Sequence, residues 1–348
     1  MFVKLHNFAT TKLGGFTMHR PFMQLSTATR GLILCLIPPL IWGGMFPIAN
    51  DLATTVNAFH MTLIRYVIAA ALLVLMLWRA EGLRALRVDG RLGRLFLLGS
   101  AGFAGFGLLA FTALRYTSSP NVSLIMAMMP AIGAVVGAMA TRKLPASYTV
   151  ASILVAFAGV SLVITDGDYG RLFSGQLGLG ELLALLGAVC WVTYTRGAIG
   201  FQGWSALRYT TVTTVLGCIS IMGGVLIATG VGYVTAPDLE AILGGWLHLA
   251  YVIIFAAVVA VLSWNKGIGL LGPLNGTLFM NLVPVVTFAI AMIRGYQPTV
   301  TALVGAGLVI AALLTNNYFS RRSARAVRAQ QVPASAEAAS ESEGVRAR

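Results

Sequence analysis

The sequence predicts an all-α integral membrane protein, with ten transmembrane helices arranged as two inverted five-helix repeats. Three observations carry this reading. Hydrophobic residues make up 57% of the 348-residue chain and charged residues only 10%, with mean hydropathy +0.84, whereas a soluble domain carries about 25% charged residues. Stretches near the ~20 apolar residues that span a bilayer recur along nearly the whole chain. Finally, one stretch is written twice. Phe111-Thr112-Ala113-Leu114-Arg115 runs through Pro120-Asn121-Val122-Ser123-Leu124 to Met129-Pro130. Asn265-Lys266-Gly267-Ile268-Gly269 runs through Leu274-Asn275-Gly276-Thr277-Leu278 to Val283-Pro284. At a constant offset Asn121 falls on Asn275, Ser123 on Thr277, Met126 on Met280 and Pro130 on Pro284. Backbone in lipid must satisfy its own hydrogen bonds, so the apolar stretches are helices. A β-barrel would show alternating segments of about ten residues instead.

The elements follow in order. Residues 1–30 scatter Lys4, Lys12, Arg20 and Arg30 with no apolar core before Gly31, so they read as a cytosolic leader rather than a signal peptide. Met18 and Met23 are alternative starts. Spans are expected at 31–50, 58–78, 93–113, 119–140 and 147–165, forming the first repeat over 31–165. Those at 178–196, 205–230, 243–265, 272–293 and 298–317 form the second, over 176–317. Polar joints such as Asp166-Gly167-Asp168 and Ala236-Pro237-Asp238 separate them. Residues 318–348, rich in Ala, Ser, Glu and Arg without an apolar stripe, are expected to be a disordered cytosolic tail. Its Arg321, Arg322, Arg325 and Arg328 suit anionic lipid.

Charge orients the chain. With the leader in the cytosol, the inward loops and both termini hold twenty of the Lys and Arg residues, and the outward loops hold only Arg115, Arg171 and Arg294. This is the positive-inside pattern. The net charge of +13 is thereby assigned to topology. No basic face on a soluble domain suggests nucleic acid. Cys35, Cys190 and Cys218 lie in apolar segments with no metal-ligand spacing. No nucleotide loop is present, and no cofactor is expected.

Other landmarks repeat. Trp42 corresponds to Trp191, and Arg65-Tyr66 answers Arg208-Tyr209. Five spans is an odd number, so the second half enters the membrane from the opposite side. An inverted pair of this kind gives alternating access to a site between the halves. On these residues the chain resembles the ten-span, two-repeat EamA-type members of the drug/metabolite transporter superfamily. The matching stretches are Ile41-Trp42-Gly43-Gly44-Met45-Phe46-Pro47, His60-Met61-Thr62-Leu63-Ile64-Arg65-Tyr66, Ala113-Leu114-Arg115-Tyr116-Thr117, Leu186-Gly187-Ala188-Val189-Cys190-Trp191, Ser263-Trp264-Asn265-Lys266-Gly267 and Asn281-Leu282-Val283-Pro284. The Gly-Glu pair common in the family after spans four and nine is replaced by Thr141-Arg142-Lys143 and Arg294-Gly295-Tyr296. The resemblance implies export or exchange of a small metabolite, amino acid-like or related, across the bacterial inner membrane.

The candidate substrate-binding residues are Trp42, Arg65, Asn121, Trp191, Tyr194, Asn265, Asn275 and Asn281. Arg65, roughly 12 Å along span two, is costly in lipid unless it is paired or faces water. A cavity role and an anchoring role both fit it. The asparagines should face inward, toward substrate or toward other helices. Trp42, Trp191 and Tyr194 suit the wall of a pocket as well as plain packing. Pro130 and Pro284, at equivalent places in spans four and nine, are candidate hinges, and Pro38, Pro39 and Pro47 are expected to break span one. Gly133 with Gly137, and Gly307 with Ala311, have the small-residue spacing of helix contacts. No catalytic or metal residues are proposed. No carboxylate sits at the centre of a span, which weakens a carboxylate proton relay. The expected partners are a small-molecule substrate, membrane lipid and a second copy of the chain. Two other functions stay open: a lipid or prenyl-phosphate flippase on the same fold, and a membrane enzyme, the latter poorly served by the dispersed His6, His19, His60 and His248.

Overall fold

The computed structural model describes residues 26–142, 144–169, 178–271, 277–320 and 322–323. Every regular element among them is helical. The main helices are α1 (Thr27–Leu52), α2 (Ala58–Glu81), α3 (Leu92–Ala113), α4 (Ser119–Ala127), α5 (Met129–Thr141), α6 (Ser147–Thr165), α7 (Leu179–Gly197), α8 (Ala206–Gly230), α9 (Trp246–Leu271), α10 (Leu282–Ile293) and α11 (Val300–Ser320). Eight helices among the described residues are long and apolar enough to cross a membrane, and the pair α4–α5, bent by 42°, makes a ninth. The chain is a multi-pass integral membrane protein.

Two expected spans are not single long helices. The fourth is broken at Met128, between α4 and α5. In the ninth, α10 follows a 3-10 turn at Thr277–Asn281, and residues 272–276 lie outside the described residues. The span with three internal prolines behaves in the opposite way. α1 contains Pro38, Pro39 and Pro47 and is still one 26-residue helix. Proline at 47 has no N–H for the carbonyl of Gly43. That carbonyl instead accepts the Thr287 hydroxyl of α10 at 2.8 Å. A hydrogen bond lost within one half is thus replaced by one between the halves.

Short polar residues start the helices. The side chains of Ser26, Asn57, Ser118 and Ser205 accept backbone N–H groups at the starts of α1, α2, α4 and α8. The buried threonine run of α8 satisfies itself: Thr211, Thr213 and Thr214 donate to the carbonyls of Leu207, Tyr209 and Thr210. α3 and α9, the third spans of the two halves, each contain a wide π-helical stretch, at Ser100–Gly105 and Tyr251–Val259.

Several helix contacts recur when the halves are exchanged. α1 lies against α9 and α10, and α7 lies against α3, α4 and α5. α2 packs on its counterpart α8. α6 meets its counterpart α11 where a Cβ on Gly159 would stand 2.6 Å from the Gly305 carbonyl oxygen, and the reverse holds. The contact glycine of α11 is therefore Gly305. Gly307, expected in that role, faces open space. Exposed apolar side chains such as Leu154, Phe157, Leu226 and Ile227 cover the outside, as lipid-facing helices require.

Candidate functional site

Two connected chambers lie between the halves. The inner one, about 50 Å³, is lined by Arg65, Tyr66, Phe103 and Phe106 of the first half together with Ala256, Ala257, Val261 and Val283 of the second. The larger vestibule, about 600 Å³, runs from the centre past Tyr194, Thr195, Arg196, Tyr209 and Asn265 toward the α7–α8 connection at Ile199, Phe201, Trp204 and Ser205. Trp42, Met126, Met129, Trp191 and Met280 line both chambers. They form the constriction between them. Four of these five are repeat-equivalent pairs, Trp42 with Trp191 and Met126 with Met280. The local symmetry axis of the halves therefore passes through the constriction.

The constriction is tied across the halves. Trp42 donates from Nε1 to the Ala256 carbonyl at 3.0 Å, inside the π-helical stretch of α9. The wall beyond it is a chain of rings, Tyr66 on Phe103 at 5.1 Å, Phe103 on Tyr194 at 5.1 Å, and Tyr194 stacked on Tyr209 at 5.2 Å. Trp191 joins it through Tyr194 and Phe106. The Tyr209 hydroxyl donates to the Tyr194 carbonyl at 2.8 Å.

Arg65 is 3% exposed. Its Nε and Nη1 are buried and have no hydrogen-bond partner among the described residues. Its guanidinium carbon lies 4.9 Å from the Tyr66 ring centre and 5.2 Å from that of Phe111.

The asparagines disperse. Asn265 lines the vestibule, 3.5 Å from the Thr210 hydroxyl. Asn121 lines neither chamber: it donates to Thr117 at 3.0 Å, and Thr117 donates to Glu181 at 2.5 Å. Asn281 is buried with both side-chain polar atoms unpartnered among the described residues, outside the chamber walls. Asn275 lies outside the described residues. Pro130 lines the vestibule in the first turn of α5. Pro284 is buried in the first turn of α10. Sequence reasoning missed Arg196, the four methionines Met45, Met126, Met129 and Met280, and the rings Tyr66, Phe103, Phe106 and Tyr209. The recurrence of Met126 in Met280 was the available signal.

The end of the bundle away from the vestibule is tied across the halves. Asp51, at the end of α1, pairs with Arg294 at 2.6 Å and lies 3.9 Å from His248. Asn57 donates to the Thr235 carbonyl at 2.7 Å. Phe59 meets Tyr233 edge-on at 5.9 Å. A hydrogen bond with Tyr116 holds the Tyr233 hydroxyl above the usual tyrosine range, and burial adds to the effect. At the vestibule end, the ties join the α2–α3 and α7–α8 connections. Arg208 donates to the Ala85 and Arg87 carbonyls at 2.7 and 2.8 Å and pairs with Asp89 at 2.8 Å. Ser205 donates to Glu81 at 2.5 Å.

A helical membrane bundle of two half-exchangeable units, with a cavity on their common axis, defines the class as a two-repeat membrane transporter. The chain belongs to the EamA-like transporter family, whose model matches it twice, over residues 29–165 and 178–318. It is similar to the uncharacterized transporter YrdR of Bacillus subtilis, at 35% identity over 84% of this chain and 92% of that protein. It is also similar to the uncharacterized transporter YyaM of the same organism, at 33% identity over 72% and 81%. An uncharacterized transporter of Archaeoglobus fulgidus is 26% identical over 73% and 86%. A solved crystal structure, 20% identical, shares the fold with a TM-score of 0.60 over 84% of this chain and 98% of that one.

Proposed function

We propose that the chain is a secondary transporter of ten spans in two inverted repeats, moving a small metabolite across the bacterial inner membrane by alternating access, with both termini in the cytosol. Export or exchange of an amino acid-like or related compound is the transport expected. The observation that carries this reading is the constriction built from the equivalent pairs Trp42/Trp191 and Met126/Met280. A cavity on the axis relating two halves is the one place both halves can expose in turn. The vestibule reaches the α7–α8 connection, which lies between Arg196 at the end of α7 and Arg208 in the first turn of α8. By the distribution of basic residues this is the cytosolic face, so the conformation reads as open inward and closed outward. The ties of Asp51, Asn57 and Glu181 on the far side agree with closure. The test is an untargeted mass-spectrometric screen of metabolites crossing proteoliposomes with and without the protein. A metabolite whose flux appears only with the protein is expected. Identical flux for every metabolite refutes a carrier.

A further inference from the structure

The charge of the cavity is one-sided. Its two chambers are lined by two cations, Arg65 and Arg196, and by no Asp or Glu among the described residues. Carboxylates are engaged by partners at the two ends of the bundle, Asp51 and Glu181 at one and Asp89 and Glu81 at the other, where Glu81 sits behind the vestibule-lining Ser205 and accepts its hydroxyl. Two positive charges without a counter-charge, in a site walled by apolar groups, draw an anion in and keep a cation out.

Arg65 is the sharper of the two. Arg208, which the sequence pairs with it but which lies three residues past its helix cap Ser205 where Arg65 lies eight past Asn57, shows what this fold does with a structural arginine: two backbone carbonyls and Asp89 receive it. Arg65 has none of this. It is almost fully buried, Nε and Nη1 lack partners among the described residues, and two ring faces are its neighbours. Ring faces attract a cation but accept none of the planar fork of N–H donors that a guanidinium offers. That fork matches a carboxylate or phosphate, in two parallel hydrogen bonds. The inner chamber, about 50 Å³, has room for an ionic head rather than a whole metabolite. The remainder would lie in the vestibule, against Trp42, Trp191 and the methionines.

We infer that the cavity takes an organic anion, a carboxylate or phosphate with an apolar or aromatic body, its head on Arg65 and its body between Trp42 and Trp191. Among the amino acid-like and related compounds proposed above, this favours the anionic ones over the zwitterions, whose ammonium finds no carboxylate among the residues lining either chamber. As a statement about cargo the inference rests on the transport reading; as a statement about binding it stands without it.

The test is calorimetric titration of the full-length protein in nanodiscs with benzoate, phenylacetate, phenyl phosphate, benzamide and benzylamine. At least one anion is expected to bind about tenfold or more tightly than benzamide, the gain expected of hydrogen bonds to a charged group. Arg65→Gln should erase the difference and Arg65→Lys should keep part of it, since lysine retains the charge without the fork. Preference for the carboxylates over phenyl phosphate identifies the head as carboxylate, and the reverse order as phosphate. Equal binding of anions and benzamide by the unmodified protein, tighter binding of benzylamine, or no binding of any anion overturns the inference, whether or not the variants fold. Arg65-dependent anion binding without flux of any metabolite in the proteoliposome screen would remove the transport reading and leave the anion site. Flux without charge preference would do the opposite.

Discussion

At the scale of single residues, the Pro47–Gly43–Thr287 arrangement makes a testable claim about cross-half bonding. Thr287→Val leaves the buried Gly43 carbonyl without its partner and should destabilise the solubilised protein by about 1–3 kcal/mol. Adding Pro47→Ala supplies the missing helix N–H, so the double variant should melt above the Thr287→Val single variant in a thermal scan. Equal melting of the two would show that the cross-half bond is incidental. Close approaches of helices make a second claim. A Cβ on Gly99 would stand 2.2 Å from the Thr213 carbonyl oxygen, whereas Gly223 faces open space. Gly99→Ala should therefore cost about 1–3 kcal/mol by overpacking, and Gly223→Ala should leave the melting temperature unchanged or raised. Arg65 was legible in the sequence because a charge deep in a span is expensive and cannot be ignored. The partner of Asn121 was not legible for a related reason. An amide in apolar sequence announces that it needs a partner but not which one, and Thr117, one turn away, supplies it locally. The ring chain from Tyr66 through Phe103 and Tyr194 to Tyr209 was not legible, since its middle contact, Phe103 on Tyr194, joins spans far apart in sequence.

At the scale of elements, hydropathy located the spans because a bilayer demands long apolar runs. It did not reveal where a span is broken. Met128, at the 42° bend, is as apolar as its neighbours, and so are the residues of the π-helical stretches in α3 and α9. Proline marked the break in span four, where Pro130 lies two residues past Met128, and failed to mark one in span one. α1 carries three prolines and stays continuous, while Pro130 sits in the first turn of α5, where a missing N–H costs little. In the proposed cycle the bend and Pro130 make α5 a candidate moving piece, since Pro130 and Gly133 line the vestibule. Pro130→Ala should let α4 and α5 join into a straighter helix, slowing flux while the protein remains folded in the membrane. Pro284→Ala should do the same in α10. Initial transport rates against a fluorescence-detected measure of folded protein check both, and unchanged rates would reduce the prolines to fixed features of the bundle.

At the scale of the whole molecule, α1 packs on α9 and α10, and α7 on α3, α4 and α5, a correspondence that supports the proposed exchange of the two faces. In the proposed cycle the Asp51–Arg294 pair holds the outer face shut. Both side chains are partly exposed, so the pair is worth about 1 kcal/mol or less, enough to shift an open–closed balance by about fivefold and too little to unfold the chain. Asp51→Asn or Arg294→Gln should raise labelling of the central cavity from the outer face, and the charge-exchanged pair Asp51→Arg with Arg294→Asp should restore the parent rate. The most direct measurement of the account is the accessibility of one cysteine at the vestibule wall. With Cys35, Cys190 and Cys218 replaced, Thr195→Cys places a thiol in that wall. A membrane-impermeant maleimide should label it quickly in inside-out vesicles and slowly in right-side-out ones, and the transported metabolite should speed labelling from the outside. Labelling at one unchanging rate from one face, with or without that metabolite, would contradict alternating access through this cavity.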